Sequence, residues 1–242
     1  GIAIPEHLGG VEVAARPSAY DGWASLDLEA AFSRALNLPV FADNDATAAA
    51  IGESQFGQGL RHNSFVYTLI SAGIGCGLVI NGQPYAGGLA HAGEIGNIPV
   101  HLPDGAPHTL WDVVSLYALY AELKAHGITV ARPEDLNPDD PAQQPGIAAW
   151  VRHAADCMIE PFLAITYILS PEVHFIGGQL PAFIVRKLCD ELNARLPAFR
   201  RDVPLTPFLP STTSVDASAL GAAVLVFQNR YLPRPEVLRT AR

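Results

Sequence analysis

Apolar and polar positions alternate along the chain in a way that separates short strands from amphipathic helices. Residues 1–5, GIAIP, read as a buried strand. No methionine precedes it, so the chain is expected to begin inside a fold whose first part lies upstream. After a loop containing Gly and Pro, residues 26–36, LDLEAAFSRAL, space their apolar side chains as an amphipathic helix does. Asn37, Leu38 and Pro39 end that helix, and residues 40–42 form a short strand. Residues 46–54 are rich in helix formers, which puts Asn44 and Asp45 where a strand meets a helix N-terminus. Residues 64–70 and 76–80 are strands flanking the glycine-rich turn SAGIGCG, and Asn81-Gly82 is the strongest hairpin signal in the chain.

The second half continues the pattern. Residues 110–126 predict one helix, broken by Gly127, and residues 131–146 are a polar, proline-rich surface loop. Residues 147–169 predict a long apolar helix with a kink or break at Pro161. Residues 173–176, VHFI, form a buried strand stopped by Gly177-Gly178. Residues 184–196 are helical, and residues 214–227 close the chain with a small-residue helix for which Asp216 or Ser214 is the expected N-cap. Strands alternating with helices indicate an α/β layered fold.

Composition narrows the function classes. Of the 242 residues, 49% are hydrophobic and only 16% charged, as in a chain able to bury a substantial core. The longest apolar runs are too short and interrupted to span a bilayer, and no signal segment opens the chain, so a cytoplasmic location is expected. The three cysteines, Cys76, Cys157 and Cys189, are too widely spaced for a disulfide framework or a metal knuckle and read as buried thiols in a reducing cytosol. A formal net charge of −9 argues against this segment gripping nucleic acid. Any contact with DNA would belong to another part of the protein.

Four segments carry candidate chemistry. DNDATAAA places an amide and a carboxylate at the carboxyl end of a strand, where open α/β sheets bind ligands. A carboxylate there would accept a hydroxyl proton, although Asp43, Asn44 and Asp45 would equally serve to cap the Ala-rich helix. In SAGIGCG, glycines at alternate positions would let backbone amides approach a phosphate, and a tight hairpin uses glycine in the same way. AHAGEIGN supplies Glu94, able to accept from two neighbouring sugar hydroxyls, and Asn97, with both a donor and an acceptor. SPEVHFIGGQLP ends a strand with paired glycines that suit close approach of a flat ligand such as adenine, or of another backbone; His174 within it reads as structural.

In this order and at these separations the segments resemble the ROK family of repressors and sugar kinases across nearly the whole chain. PVFADNDATAAAIGE is similar to the family's Asn-Asp-Ala segment, ISAGIGCGLVINGQPYAG to its second phosphate-binding hairpin, and HAGEIGN to its sugar motif. SPEVHFIGGQLP and SALGAA are similar to its adenosine-side strand and closing helix. The resemblance implies an actin-like ATPase, ribonuclease H-like α/β fold lacking its N-terminal part. Residues 1–45 would be the remnant of a small lobe, 46–213 the large lobe and 214–230 a helix returning toward the small lobe. It also implies a monosaccharide ligand held by Asn44, Asp45, Glu94 and Asn97, with Asp45 as general base if the protein is a kinase. Ser71, Ala72, Gly73, Gly75, Gly177 and Gly178 would take the ATP side. A homodimer is the family expectation.

The chain departs from the family pattern in several places. Asn97 stands where the family has a zinc-binding histidine, and no cysteine lies between Cys76 and Cys157, so no zinc is expected; His101 and His108 alone would not complete a tetrahedral site. Trp111 stands where a sugar-contacting glutamate is usual, with Asp112 beside it as a substitute. Glu6 replaces a usual glycine, and the family's Asp-x-Gly-Gly-Thr hairpin, which would hold phosphate and magnesium, is not in the chain. Because phosphoryl transfer depends on positioning and charge neutralisation, the chain by itself is expected to be inactive as a kinase. The expected function is the sugar-sensing domain of a transcriptional regulator whose DNA-binding helices lie upstream. The alternative is an ATP- and magnesium-dependent sugar kinase, a phosphotransferase to an alcohol group, lacking its first strands.

Overall fold

The centre of the protein is a strand that two sets of helices share. In the computed structural model, which describes residues 1–5, 22, 26–103, 105–199 and 203–231, strand β3 (Phe65–Ile70) is buried along its whole length. It pairs antiparallel with β4 (Ile74–Ile80), Phe65 opposite Val79 and Ile70 opposite Ile74. On its other side it pairs parallel with β8 (Val173–Gly178), Phe65 opposite Val173 and Ile70 opposite Gly178. With β5 (Gln83–Pro84) beyond β4 and β9 (Phe208–Pro210) beyond β8, the five-stranded sheet has the order β5-β4-β3-β8-β9. The two-residue period of a strand divides the core. Phe65, Tyr67 and Leu69 pack on one face with Ala46, Ala49 and Ala50, whereas Val66 and Ile70 pack on the other with Leu119, Trp150, Met158 and Leu188.

Helix α2 (Asp45–Phe56) covers the first face. Its exposed-to-core contrast is nearly absent, because Ala46, Ala48, Ala49, Ala50, Ile51, Gly52 and Glu53 are all buried, as in a helix enclosed on most sides. Small side chains let it approach closely. A Cβ on Gly77 of β4 would lie 2.3 Å from the Ala46 carbonyl oxygen. On the other side it crosses α7 (Ala217–Arg230), where a Cβ on Gly221 would lie 1.7 Å from the Ala48 oxygen and one on Gly52 would lie 2.2 Å from the Ala217 oxygen. A second, two-stranded parallel sheet of β1 (Ile2–Ile4) and β2 (Ala42–Asn44) rests against α7 and α2. Helix α1 (Leu28–Leu36), capped by Asp27, precedes β2. The opposite face of the main sheet carries α3 (Leu110–Val113), α4 (Leu116–Ala125), α5 (Gln144–Leu169) and α6 (Ala182–Arg195). The hairpin of β6 (Pro99–His101) and β7 (Pro107–Thr109) leads into them. Among the described residues no helix is long and apolar enough to cross a membrane.

Several sequence expectations need correction. The first strand is half-buried, not buried. The second begins two residues later than expected and takes in Asp43 and Asn44. The single helix expected over 110–126 is two, because Ser115 leaves the helical path and its hydroxyl caps α4 by accepting from the Ala118 amide at 3.1 Å. The Trp150 indole donates to the Val113 carbonyl at 3.0 Å, satisfying one group left open at that break. Helix α5 runs through Pro161 without ending. Strand β8 includes Gly177 and Gly178 instead of stopping before them. Helix α7 starts at Ala217 after a 3₁₀ turn, and Asp216 at its cap makes no side-chain capping bond. The expected Asn81-Gly82 turn is present, with φ of 53° and 74°, the left-handed pair a two-residue hairpin needs. Glu6 and most of the loop after β1 lie outside the described residues.

The close crossing of α2 and α7 makes a direct prediction. Gly221→Ala and Gly52→Ala should each cost about 2–3 kcal/mol, because the added methyl meets backbone that cannot rotate away. Gly88→Ala, where a Cβ meets nothing within 4 Å, should stay within about 0.5 kcal/mol. Urea unfolding midpoints of the three variants check the difference.

Candidate functional site

The segments that carry the candidate residues meet near the carboxyl ends of β3 and β8. Ile70, the last residue of β3, pairs with Ile74 on one side and Gly178 on the other, and its carbonyl accepts from the Gln179 amide at 2.9 Å. The 71–75 turn and the Gly177-Gly178 pair therefore share one edge of the sheet, the edge at which open α/β sheets take ligands. The start of α2 arrives at the same edge, for Ala46 touches the Cβ direction of Gly75 at 3.1 Å. The 93–97 segment arrives along the free side of β4, where the Cys76 amide donates to Gly93 at 3.0 Å. Gly93 has φ of 102°, and a Cβ there would meet the Cys76 oxygen at 1.9 Å, so only glycine brings Glu94 into this position.

At the start of α2, Asn44 does what a cap residue does. Its side-chain oxygen accepts from the Ala46 and Thr47 amides at 2.9 and 3.0 Å. Its side-chain NH₂ is turned to no role in that cap. Asp45 is the first residue of the helix and half-buried. Burial raises its carboxyl above the usual aspartate value, outweighing the backbone amides of Ala46 and Asp45 that lower it. Such a carboxylate is a better proton acceptor than an exposed one. Glu94 is half-buried and accepts from the Asn97 side-chain amide at 3.2 Å. These two therefore form one polar pair.

The 71–73 turn differs from an open cradle of amides. The Ser71 amide donates to the Gly73 carbonyl at 2.8 Å, and the Ser71 carbonyl accepts from Leu116 at 2.9 Å. Ala72 is exposed, whereas Gly73 is buried. What buries it is Trp111, whose ring carbons Cε2 and Cζ2 would each lie 2.5 Å from a Cβ at Gly73. The same indole reaches Gly96, at 3.2 Å from the Cβ position. Asp112 is exposed, and one of its oxygens accepts from the Thr109 amide and hydroxyl at 2.8 and 3.0 Å. That bond starts helix α3. Gly177 and Gly178 are both buried, and crowding by the Tyr67 side chain and the Ile70 backbone accounts for them. A Cβ at Gly178 would lie 2.3 Å from the Ile70 oxygen, and one at Gly177 would lie 2.2 Å from the Tyr67 hydroxyl.

Sequence reasoning missed the carboxylate with the most partners. Glu53 is 0% exposed, yet its oxygens accept from the Ser211 hydroxyl at 2.6 Å, the Gln58 amide at 2.9 Å, the Thr213 amide at 3.2 Å and the Thr213 hydroxyl. Burial pushes its carboxyl up, but these bonds together hold it below the usual glutamate value. Glu53 thus ties the far end of α2 to the loop that leads from β9 into α7. The signal for it was one acidic residue in a run of small and apolar ones. His174, by contrast, is structural as expected: its Nε2 lies 2.9 Å from the Thr166 hydroxyl, its ring stacks on Phe208, and burial pushes it down to about 3.

A groove of about 370 Å³ elsewhere, between β6 and α5, is lined by His101, His153, Asp156, Cys157 and Glu160 among others. None of the candidate site residues lines it. Among the described residues no three His, Cys, Asp or Glu side chains gather where they would hold a metal ion. All three cysteines are free thiols, two of them buried.

The sequence profile of the ROK family matches residues 12–229. The chain belongs to the ROK family. Its fold is the actin-like ATPase fold of ROK sugar kinases. The ROK glucokinase of Streptomyces griseus, solved in complex with glucose and AMPPNP, superposes with a TM-score of 0.67 at 22% identity, over 82% of this chain and 71% of that one. Curated relatives include repressors and sugar kinases. A xylose repressor of Bacillus spizizenii is 36% identical over 103 residues, 43% of this chain and 26% of its own length. A glucokinase of Halalkalibacterium halodurans is 38% identical over 86 residues, 36% of this chain and 26% of its own length. The matched stretch is thus about a quarter of each of these two relatives.

The Glu53 network predicts an acid-sensitive joint. Glu53→Gln should destabilise the protein by about 3 kcal/mol, since the amide presents donors to donors in a fully buried site. The folded-state value is lowered, so the ionised carboxylate stabilises the protein fully above the unfolded value of 4.5 and ceases to as pH falls through the folded value. Denaturation profiles from pH 7 to pH 3 should show a shallower acid loss in Glu53→Gln than in the wild type.

Proposed function

We propose that the chain is the sugar-binding domain of a ROK transcriptional regulator, sensing a monosaccharide at the edge formed by Asp45, Glu94 and the 71–75 turn. Asn44 contributes its side-chain NH₂, Glu94 and Asn97 bind hydroxyls, and Asp45 accepts from one more. The observation that favours a sensor over a phosphotransferase is Trp111 lying on Gly73, because it covers one side of the turn that a kinase would open to phosphate. Similarity to xylose repressors is compatible with this reading, and similarity to glucokinases is compatible with the alternative. With a net charge of −9, contact with DNA falls to another segment of the protein, working as a dimer. The sugar acts by binding two arrangements of the lobes with different affinity, since only a difference in affinity shifts such an equilibrium. Residues 1–45 belong to the smaller lobe, 46–213 to the larger, and α7 joins them.

Asp45 is the group that keeps a kinase reading alive, because its raised carboxyl suits a general base toward an alcohol. ATP and magnesium would then be required, with Ser71–Gly75 and the Gly177-Gly178 end of β8 on the nucleotide side. Calorimetric titration of the full-length protein with hexoses, pentoses and N-acetylhexosamines, with and without magnesium-ATP, separates the two. A sensor binds one sugar without ATP and releases no ADP, and Asp45→Asn weakens that binding about tenfold, or ~1.4 kcal/mol. ADP released in step with sugar phosphate would establish the kinase instead. Silence with every sugar, from folded protein, would reject both.

A further inference from the structure

Trp111 is the least explained residue at the site. A tryptophan at the start of a four-residue helix gains most by full burial, yet Trp111 is only half-buried. Its indole lies across two glycine backbones, Gly73 and Gly96, neither of which leaves room for a side chain beneath it. The contacting atoms are Cδ2, Cε2 and Cζ2 toward Gly73 and Cε3 toward Gly96, so the six-membered ring bridges the two segments. Gly96 is flanked in the chain by the Glu94–Asn97 pair, joined by the 3.2 Å bond between amide and carboxylate. The result is an aromatic surface of fixed position beside one carboxylate and one amide.

We infer that Trp111 is a specificity-determining residue, a platform on which the ring of an unphosphorylated pyranose lies while Glu94 and Asn97 bind its hydroxyls. The inference rests on the sugar-binding reading above and adds the shape and charge of the ligand. A pyranose chair with equatorial hydroxyls turns a flat patch of C–H groups to one side. That patch matches the apolar, electron-rich face of an indole. An open-chain polyol has the same hydroxyls but no such patch. Ligand sites of this kind pair an apolar or aromatic wall with a few placed polar groups. The chain carries a formal net charge of −9, which disfavours a phosphate ester relative to the neutral sugar. The indole accounts for the glycine at 73, whereas at 96 the Ile74 carbonyl oxygen, 2.8 Å from a Cβ, is the nearer obstacle.

The test uses the full chain with D-glucose, D-xylose, D-glucitol, xylitol and glucose 6-phosphate as probes, followed by calorimetry and tryptophan emission. At least one of the two pyranoses should bind at least tenfold more tightly than the matching polyol, and glucose more tightly than its phosphate. Binding should change the emission of the wild type. Trp111→Phe should keep the affinity within about threefold while the emission change disappears, and Trp111→Ala should lose at least about tenfold, or ~1.4 kcal/mol. If a pyranose binds but the emission and the Trp111→Ala affinity are unchanged, the platform is wrong and the sugar site stands. If a polyol or the sugar phosphate binds as tightly as the pyranose, the platform is wrong as well. If no probe binds the folded wild type, the platform and the sugar-binding reading fall together. Should Trp111→Ala fail to fold, the Phe variant and the emission change still decide.

Discussion

Helix α2 lies within van der Waals contact of strand β4 on one side and of α7 on the other because it meets them with Ala46, Ala48, Ala50 and Gly52, and because Gly75, Gly77 and Gly221 receive it. A larger side chain at any of these contacts would lift the helix off the sheet. Its height matters at both ends. At the first, Asn44 and Asp45 come level with the carboxyl ends of β3 and β8. At the last, Glu53 reaches the 211–213 loop and fixes it with its own charge. One helix therefore joins the Asp45 carboxylate to the loop that starts α7, and the β1–β2 sheet rests on the same pair of helices.

Glycine has two uses at this edge, and they need separate arguments. Gly93 is required by its left-handed backbone and by contact with Cys76, and it is what places Glu94. Gly177 and Gly178 are crowded by Tyr67 and Ile70, so the paired glycines that suit a flat ligand are explained in full by the approach of another strand. Gly73 lies under an indole. In the proposed site, ligand recognition therefore rests on side chains, with Asp45, Glu94 and Asn97 supplying the polar groups and Trp111 the apolar one.

Much of the architecture was readable from periodicity. Strands β3, β4 and β8 are continuous apolar runs, as strands covered on both faces must be, and the Asn81-Gly82 turn declares itself by the left-handed φ it requires. Strand β9 was missed because its three residues sit among Pro204, Pro207 and Pro210, and proline marks an edge strand as much as a loop. The division of α3 from α4 was hidden because 110–126 is apolar at helical spacing throughout, while Ser115 breaks it through one hydroxyl cap. Of the site, the residues in ordered motifs were legible. Glu53 was not, because nothing in a sequence reports that Ser211 and Thr213, some 160 positions on, supply its hydrogen bonds. The replacement of a usual glutamate by Trp111 was visible, but its contact with both Gly73 and Gly96 belongs to the fold.

The central claim is that Asp45, Glu94 and Trp111 face a common ligand at the carboxyl edge of the sheet. A crystal structure of the chain grown with the monosaccharide it binds tests this most directly. The account predicts a sugar ring lying on the Trp111 indole, with hydroxyls within hydrogen-bonding distance of the Glu94 and Asp45 carboxylates. A sugar seated in the groove between β6 and α5, with those two carboxylates untouched, would contradict it.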